Sequence, residues 1–484
     1  MSTAQHTLSP GTGAMVAAAR QRQYVYAIAI VLIFSLMWPY TAWLQGRKQE
    51  KDLGEATIGQ VDTGGFMLKL AMIGGFRGMV ANYLWTQAQA YEKIHEWDKL
   101  KGTVDFITKL QPHFLSIWTY QGWNLAYNVS VEWDAPEDKY VWIKKGINFL
   151  KEGVVKNEKS PDLIWDTAFT YYHKLGFADE AIVLRRLFYD DPDDDSTGFR
   201  VDPIDGNIRF DNFQLANSWF TRSIRKVDRE GGVRQEVNFN KEVEYVDRPT
   251  QHKGRPGDLH FRTMPAHAQT RYAAALEKQS VLNIQPTFAE VARTEWRRAL
   301  SAWKEFGDFE WPAFRYESQM VRVDDSMNPE RFAKLSSEQK HWTDRWAHQT
   351  NYKYWKDRAM AEGEPSGVDA RKAFYEGRKA LIAADFPAAA QQYRDGMNLW
   401  EGLLKRHEFF RKDDETRKET KRVVRRYLLS LKQSGDKEPD DFPFKDFTKG
   451  IQEELSPDPF DQLEMLRTST TTAVAKPKSP AMPR

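Results

Sequence analysis

The sequence predicts an all-α protein: one N-terminal transmembrane helix, then stacked helix pairs forming an α-solenoid with an irregular insert in the middle. Three observations carry this reading. Tyr24 to Leu44 is a run of 21 residues without a charge. Trp165, Phe169, Tyr172, Gly176 and Ala181 stand at intervals of 4, 3, 4 and 5, and Ala373, Gly377, Ala380, Ala384 and Ala389 repeat those intervals about two hundred residues later. Around both stretches apolar residues keep helical spacing, whereas residues 190–257 are rich in Asp, Gly and Pro.

The first 23 residues read as a disordered tail. The uncharged run at 24–44 follows, long enough to cross a hydrocarbon core of ~30 Å as a helix. Tyr24 and Tyr26 mark one end and Trp38, Tyr40 and Trp43 the other, as in aromatic belts. The run closes in "TAWLQGRKQE", with no small-residue cleavage site, so it reads as a retained anchor. Arg20 and Arg22 precede it and Arg47, Lys48 and Lys51 follow it. The expected arrangement is single-pass in the inner (cytoplasmic) membrane, with the body extracytoplasmic. A second apolar stretch, Phe66 to Trp85, holds Lys69, Arg77 and three glycines, which suit an amphipathic helix better than a span.

Residues 65–189 read as a first set of helical repeats. Leu84, Ala88, Tyr91, His95 and Leu100 again run 4, 3, 4, 5, and Pro112 closes that unit. One 34-residue period later Leu84, Ala88 and Tyr91 become Trp118, Gly122 and Leu125. Trp165 and Tyr172, seven apart, fall on one face of a first helix. Small residues between the large ones let a second helix approach closely. Gly176 is expected to end its helix with a left-handed cap, Asp179 to stand near the start of the next, and Ala181 to pack back on the first. The unit from Leu115 to Gly153 carries an insertion, "SVEWDAPEDK", between its helices.

A 34-residue helix–turn–helix with this order of large and small residues resembles the tetratricopeptide repeat (TPR). The stretches "GGFRGMVANYLW", "LQPHFLSIWTYQGWNLAYNVS", "DNFQLANSWFTRS" and "NYKYWKDRA" look like those of the membrane-anchored TPR-like proteins of planctomycete-type bacteria. The resemblance spans roughly residues 65 to 435. It implies a helical scaffold and carries over no catalytic residue.

The insert at 190–257 is expected to hold one helix near Phe213–Val227 and a β-hairpin at "QEVNFNKEVEYV". A second set of repeats covers 258–435. It comprises helices in "PAHAQTRYAAALEK" and "FAEVARTEWRRALSAWKEFG", one helix around "EQKHWTDRWAHQTNYKYWKDRAMAEG", a clear unit from Ala370 to Leu404 containing Gly377, Ala380 and Ala389, and a closing helix at Thr416–Leu431. Residues 436–484 are expected to be extended and disordered.

Composition narrows function without naming it. The 484 residues carry a net charge of +2, giving no concentrated basic face for nucleic acid, and there is no cysteine for a thiolate nucleophile, a disulfide or a metal. The 17 tryptophans read as packing anchors. Asp191, Asp193, Asp195 and Asp202 fall at positions 1, 3, 5 and 12 of a calcium-type loop, but Ser196 replaces the needed glycine, Asp202 the bidentate glutamate, and Pro192 intrudes. A solvated acidic loop is the expectation. His260 with His267, and His341 with His348, lack the spacing and third ligand of a zinc site, and His173 reads as surface or packing. The run Arg411–Arg426, eight basic and four acidic residues, reads as a solvated helix face. No phosphate-cradling loop or nucleophile elbow is present.

The sequence therefore points to a membrane-anchored scaffold that binds a peptide or helix of a partner protein, not an enzyme, with no cofactor, metal or nucleic acid. First helices of the units would line its groove, with Gln87, Asn124 and Lys379 as candidates. Two other readings stay open: an enzyme or accessory subunit with its site at 190–257, and a self-associating structural envelope protein.

Overall fold

The computed structural model describes residues 76–191, 198–230, 258–277, 286–288, 290–313 and 319–448. The anchor expected at 24–44 and the hairpin expected at 235–246 lie outside the described residues. Among those described, the protein is all-α apart from one two-stranded hairpin and an isolated bridge, and no helix is long and apolar enough to cross a membrane. The chain divides into two compact units: residues up to Glu132 with Trp142–Leu163, and Trp133–Val141 with Ile164 onward.

In the first unit, α1 (Phe76–Lys93) and α2 (Trp97–Leu110) form a hairpin. Its turn closes at His95, whose φ of 57° lets the Glu96 N–H reach back to the Tyr91 carbonyl at 3.0 Å. Arg77 donates to the terminal Leu110 carbonyl at 2.8 and 3.2 Å, satisfying an acceptor that helix geometry leaves open. α3 (Leu115–Trp123) runs on through a π-helical stretch, Asn124–Val129. A Cβ on Gly122 would lie 2.4 Å from Leu150 Cγ, so glycine is what lets α3 meet α4 (Pro136–Lys156). Trp118 is buried and its indole N–H donates to the Pro112 carbonyl at 2.8 Å. The expected insertion is shorter than the sequence suggested, because α4 already begins at Pro136.

In the second unit, α5 (Pro161–Phe169) continues through a π-helical turn, Thr170–Lys174, to Phe177, followed by α6 (Ala181–Tyr189). Trp165, Phe169, His173 and Phe177 form a ladder of near-parallel rings 5.1, 5.1 and 6.0 Å apart. Trp165 and Tyr172 also share Phe220 of α7 (Asn212–Arg229), at 5.6 and 6.1 Å. Gly176 does not form a left-handed cap: it lies within the last helical turn, and a Cβ there would stand 2.4 Å from Phe213 Cε1. Its smallness serves packing. Asp179 stands near the start of α6, as expected, with Glu180 between them at the N-cap position, and no side chain caps that helix.

α8 (Leu259–Leu276) begins before Pro265 and carries it internally, rather than starting there. α9 (Glu290–Asp308) leads into β1 (Glu310–Pro312), which pairs antiparallel with β2 (Met320–Arg322), Trp311 opposite Val321. The sequence did not signal these strands. After α10 (Pro329–Ala333), the single helix expected over 338–363 is two: α11 (Ser337–Gln349), opened by a Ser336–Gln339 capping box, and α12 (Tyr352–Glu362). Asn351, at φ 49°, breaks them apart. α13 (Pro365–Ile382) and α14 (Phe386–Arg406) form a hairpin closed at Ala384, φ 60°, with Asp385 N–H bonded to the Ala380 carbonyl at 2.9 Å. This is the same closure as at His95. α15 (Glu408–Lys412) and α16 (Asp414–Ser434) complete the helices.

Two apolar cores fill this unit, one around Trp296, Trp303, Trp311 and Tyr352, the other around Tyr393, Trp400 and Tyr427. Phe442 and Phe444 are buried in the second, so the described part of the stretch after 436 is anchored where the sequence suggested a free tail.

Candidate functional site

The second unit encloses a cavity of about 280 Å³ built from four helices and the end of a fifth. α13 contributes Arg371, Phe374, Tyr375 and Arg378, and α16 contributes Glu419, Arg422, Val423 and Arg426. Both sets follow i, i+3, i+4, i+7, the spacing of one helix face. Arg358 and Glu362 come from α12, Trp296 from α9, and Glu277 stands just past α8.

Five arginines and three glutamates line the cavity. Part of that charge is internally matched. Glu362 is 1% exposed and accepts from Arg371 Nε at 3.1 Å and Nη2 at 2.6 Å. The same guanidinium bonds Glu419 and lies 4.4 Å over the Trp400 ring. Planar, bidentate pairing of this kind suits arginine and holds the side chain rigid.

Glu277 and Arg358 are matched only in part. Glu277 is 9% exposed; its Oε2 accepts from Trp296 Nε1 at 3.1 Å, while the buried Oε1 has no hydrogen-bond partner. Burial, reinforced by the Glu362 charge, holds the Glu277 carboxyl well above the usual carboxylate range, against the opposing pull of Arg371. Arg358 donates to the Tyr354 hydroxyl at 3.0 Å, and its buried Nε, which makes no hydrogen bond, stands 3.7 Å from the Glu362 carboxylate as an ion pair. The cavity wall is thus rich in arginine, and several of its guanidinium groups already meet carboxylates of the same wall.

A second polar cluster braces α12 from another direction. His407, 5% exposed, pairs through Nδ1 with Asp357 at 2.7 Å and through Nε2 with Glu364 at 2.8 Å. Asp357 also accepts from the Phe410 N–H at 3.0 Å, tying α12 to α15.

The residues singled out in the sequence are placed as follows. Ala88, Trp118, Gly122, Tyr172, Gly377 and Ala389 are buried, and Leu84, Tyr91, Pro112, Trp165, Gly176, Ala181 and Ala380 are half-buried. Of the groove candidates, Lys379 is exposed and Gln87 half-buried, but Asn124 is fully buried, its Oδ1 accepting from Asn128. The acidic loop is not simply solvated. Asp191 is buried and accepts from the Tyr140 hydroxyl at 2.5 Å, while buried Asp202 accepts from Arg209 at 2.7 Å and Ser218 at 2.5 Å. Asp193 and Asp195 lie outside the described residues. His267 is held edge-on between Trp303 and Trp355, where burial, then the charge of Arg271, pushes it down to about 3 and keeps it neutral. His260, His341 and His348 are exposed. Among the described residues no group of three or more His, Asp or Glu is arranged to hold a metal. The basic run is divided: Glu415 and Lys418 pair at the surface, while Glu419, Arg422 and Arg426 line the cavity.

The cavity was not anticipated from sequence. Its only local signal is the matched spacing in "RKAFYEGR" and "ETKRVVRR". Comparison with models of protein families and with curated proteins finds no match.

Proposed function

We propose that this chain is a TPR-like scaffold, held at the inner membrane by the Tyr24–Leu44 segment with its body extracytoplasmic, and that its task is to recruit a partner protein. The second helical unit does so by admitting an acidic segment of that partner to the arginine-lined cavity. The observation that carries the reading is the arginine-rich wall of the cavity, five arginines and three glutamates, with Arg422 exposed. A carboxylate of the partner would form charge-assisted hydrogen bonds at the exposed Arg422. Helical hairpins such as α1–α2 and α13–α14 suit a binding scaffold, which needs rigid presentation and no turnover.

The test is affinity capture from native membranes in mild detergent, comparing the wild-type chain with Arg422→Glu. Arg422 is exposed, so its reversal changes the cavity's charge without disturbing the core. The reading predicts one or a few partners recovered by the wild type and lost from the variant. Recovery that is indifferent to Arg422→Glu would refute it.

A further inference from the structure

We propose that the exposed face of α16 is a docking surface for an acidic segment of this same chain, residues 450–466, and that the docked segment covers Arg422 at the rim of the cavity. The effect of that docking on a partner rests on the scaffold reading; the docking itself does not.

Arg422, Arg425, Leu429 and Lys432 fall at i, i+3, i+7 and i+10, a single stripe roughly 15 Å long on α16. All four are exposed, while Val423, Val424, Tyr427 and Leu431 on the opposite face are buried in the second core. One turn earlier Lys418 pairs with Glu415, but among the described residues Arg422, Arg425 and Lys432 form no ion pair and no side-chain hydrogen bond. Glu438, Asp440 and Asp441, which follow the helix, form no ion pair with them either.

The sequence supplies the missing counter-charge. Between Lys449 and Arg467 it holds five acids, Glu453, Glu454, Asp458, Asp461 and Glu464, and no base. Phe460, Leu463 and Leu466 stand among them as apolar partners for Leu429. This segment is also tethered beside the stripe. Phe442 packs on Tyr427 of α16 at 5.4 Å, and Phe447, in a short turn at Lys445–Thr448, lies against the same core. Glu453 follows Thr448 by five residues and Glu464 by sixteen. At ~3.3 Å per residue these reach roughly 16 and 50 Å, enough to run the length of the stripe. Exposed ion pairs are individually weak, so a free acidic peptide would hold poorly here. The tether gives the chain's own segment an effective concentration on the order of mM, which favours it over an untethered partner or a lipid surface. A partner carboxylate that seeks Arg422 must first displace it.

The chain has no cysteine, so an introduced pair reports one contact. Leu429→Cys with Gln462→Cys leaves every charge in place, and Lys334→Cys with Gln462→Cys, at an exposed position just past α10, is the control. The readout is the initial rate of intramolecular disulfide formation in the full chain in neutral detergent. The docking predicts a rate roughly tenfold above the control at low salt, independent of protein concentration. High salt, or Arg422→Glu with Arg425→Glu and Lys432→Glu, should bring it down to the control. Reversing the five acids to lysine in that triple variant should restore it, which excludes unfolding as the cause of the loss. A rate equal to the control, or one indifferent to salt and to charge reversal, overturns the docking. So does a slow rate together with stripe-dependent binding to phosphatidylglycerol vesicles, which would make lipid the occupant. Affinity capture with the chain cut after Thr448 tests the consequence. More partner recovered than with the full chain supports displacement at Arg422, and recovery that depends on Arg422 but is unchanged by the cut overturns it. Fast crosslinking with capture indifferent to Arg422→Glu keeps the docking and removes the partner reading. Slow crosslinking with capture lost in Arg422→Glu does the reverse.

Discussion

His407 and Asp357 are joined at 2.7 Å, Nδ1 to Oδ1, in a setting where the other ring nitrogen also meets a carboxylate, that of Glu364. Burial alone would lower the imidazole pKa, but these two carboxylates outweigh it and raise it above the ordinary value. A raised native pKa means the proton is bound more tightly in the folded chain. The contribution is therefore fully present below about pH 6.5, the unfolded value, and is lost as pH rises through the raised native pKa. His407→Gln should lower stability by about 2–3 kcal/mol in mildly acidic solution and by progressively less toward alkaline pH. Unfolding midpoints against pH for the two proteins check this.

Glu277 acts with a different window. Its raised carboxyl pKa makes the native state hold a proton that the unfolded chain releases near 4.5. Stability thus falls as pH climbs from that value through the raised native one. Glu277→Gln keeps the bond to Trp296 Nε1 and removes the titration. The variant's melting temperature should lose this fall and exceed the wild type's at alkaline pH.

The Arg371–Glu362 pair is structural. Glu362 is 1% exposed and its other cation, Arg358, stands 3.7 Å away without a hydrogen bond, so Arg371→Met leaves a buried carboxylate poorly matched and should cost about 3 kcal/mol. Adding Glu362→Gln removes the stranded charge and should recover much of the loss. Denaturant midpoints of the two singles and the double form the cycle that measures the coupling.

Ala384 and Gly122 make opposite predictions. Ala384 sits at φ 60°, where a Cβ is strained by about 1–2 kcal/mol, partly offset by glycine's greater freedom in the unfolded chain. Ala384→Gly should stabilise by about 0.5–1 kcal/mol. Gly122→Ala drives a Cβ to within 2.4 Å of Leu150 and should destabilise by about 1–3 kcal/mol. Melting temperatures of the two variants should move in opposite directions.

The helices were legible because their signals are local. Ala88, Trp118 and Ala389 mark buried faces through spacing alone. Gly176 misled because glycine serves a cap or a close contact equally well, and only Phe213, far along the chain, decides between them. Asn351 broke an expected helix by adopting a left-handed conformation that asparagine merely tolerates. The π-helical turns at Asn124–Val129 and Thr170–Lys174 leave the 3.6 period without any distinctive residue. The cavity was illegible for a stronger reason. Glu362 and Glu419 belong to separate helices and Glu277 follows a third, and the arginines beside them come together only in the fold.

The most direct test of the central claim places a photo-crosslinking side chain at Tyr375, which lines the cavity between Arg371 and Arg378, in the full chain in native membranes. A control position at Lys379, which is exposed and does not line the cavity, accompanies it. The account predicts that illumination links Tyr375 to an acidic segment of a partner protein, and that Arg422→Glu abolishes the product. Crosslinks formed equally at both positions, or unaffected by Arg422→Glu, would contradict it.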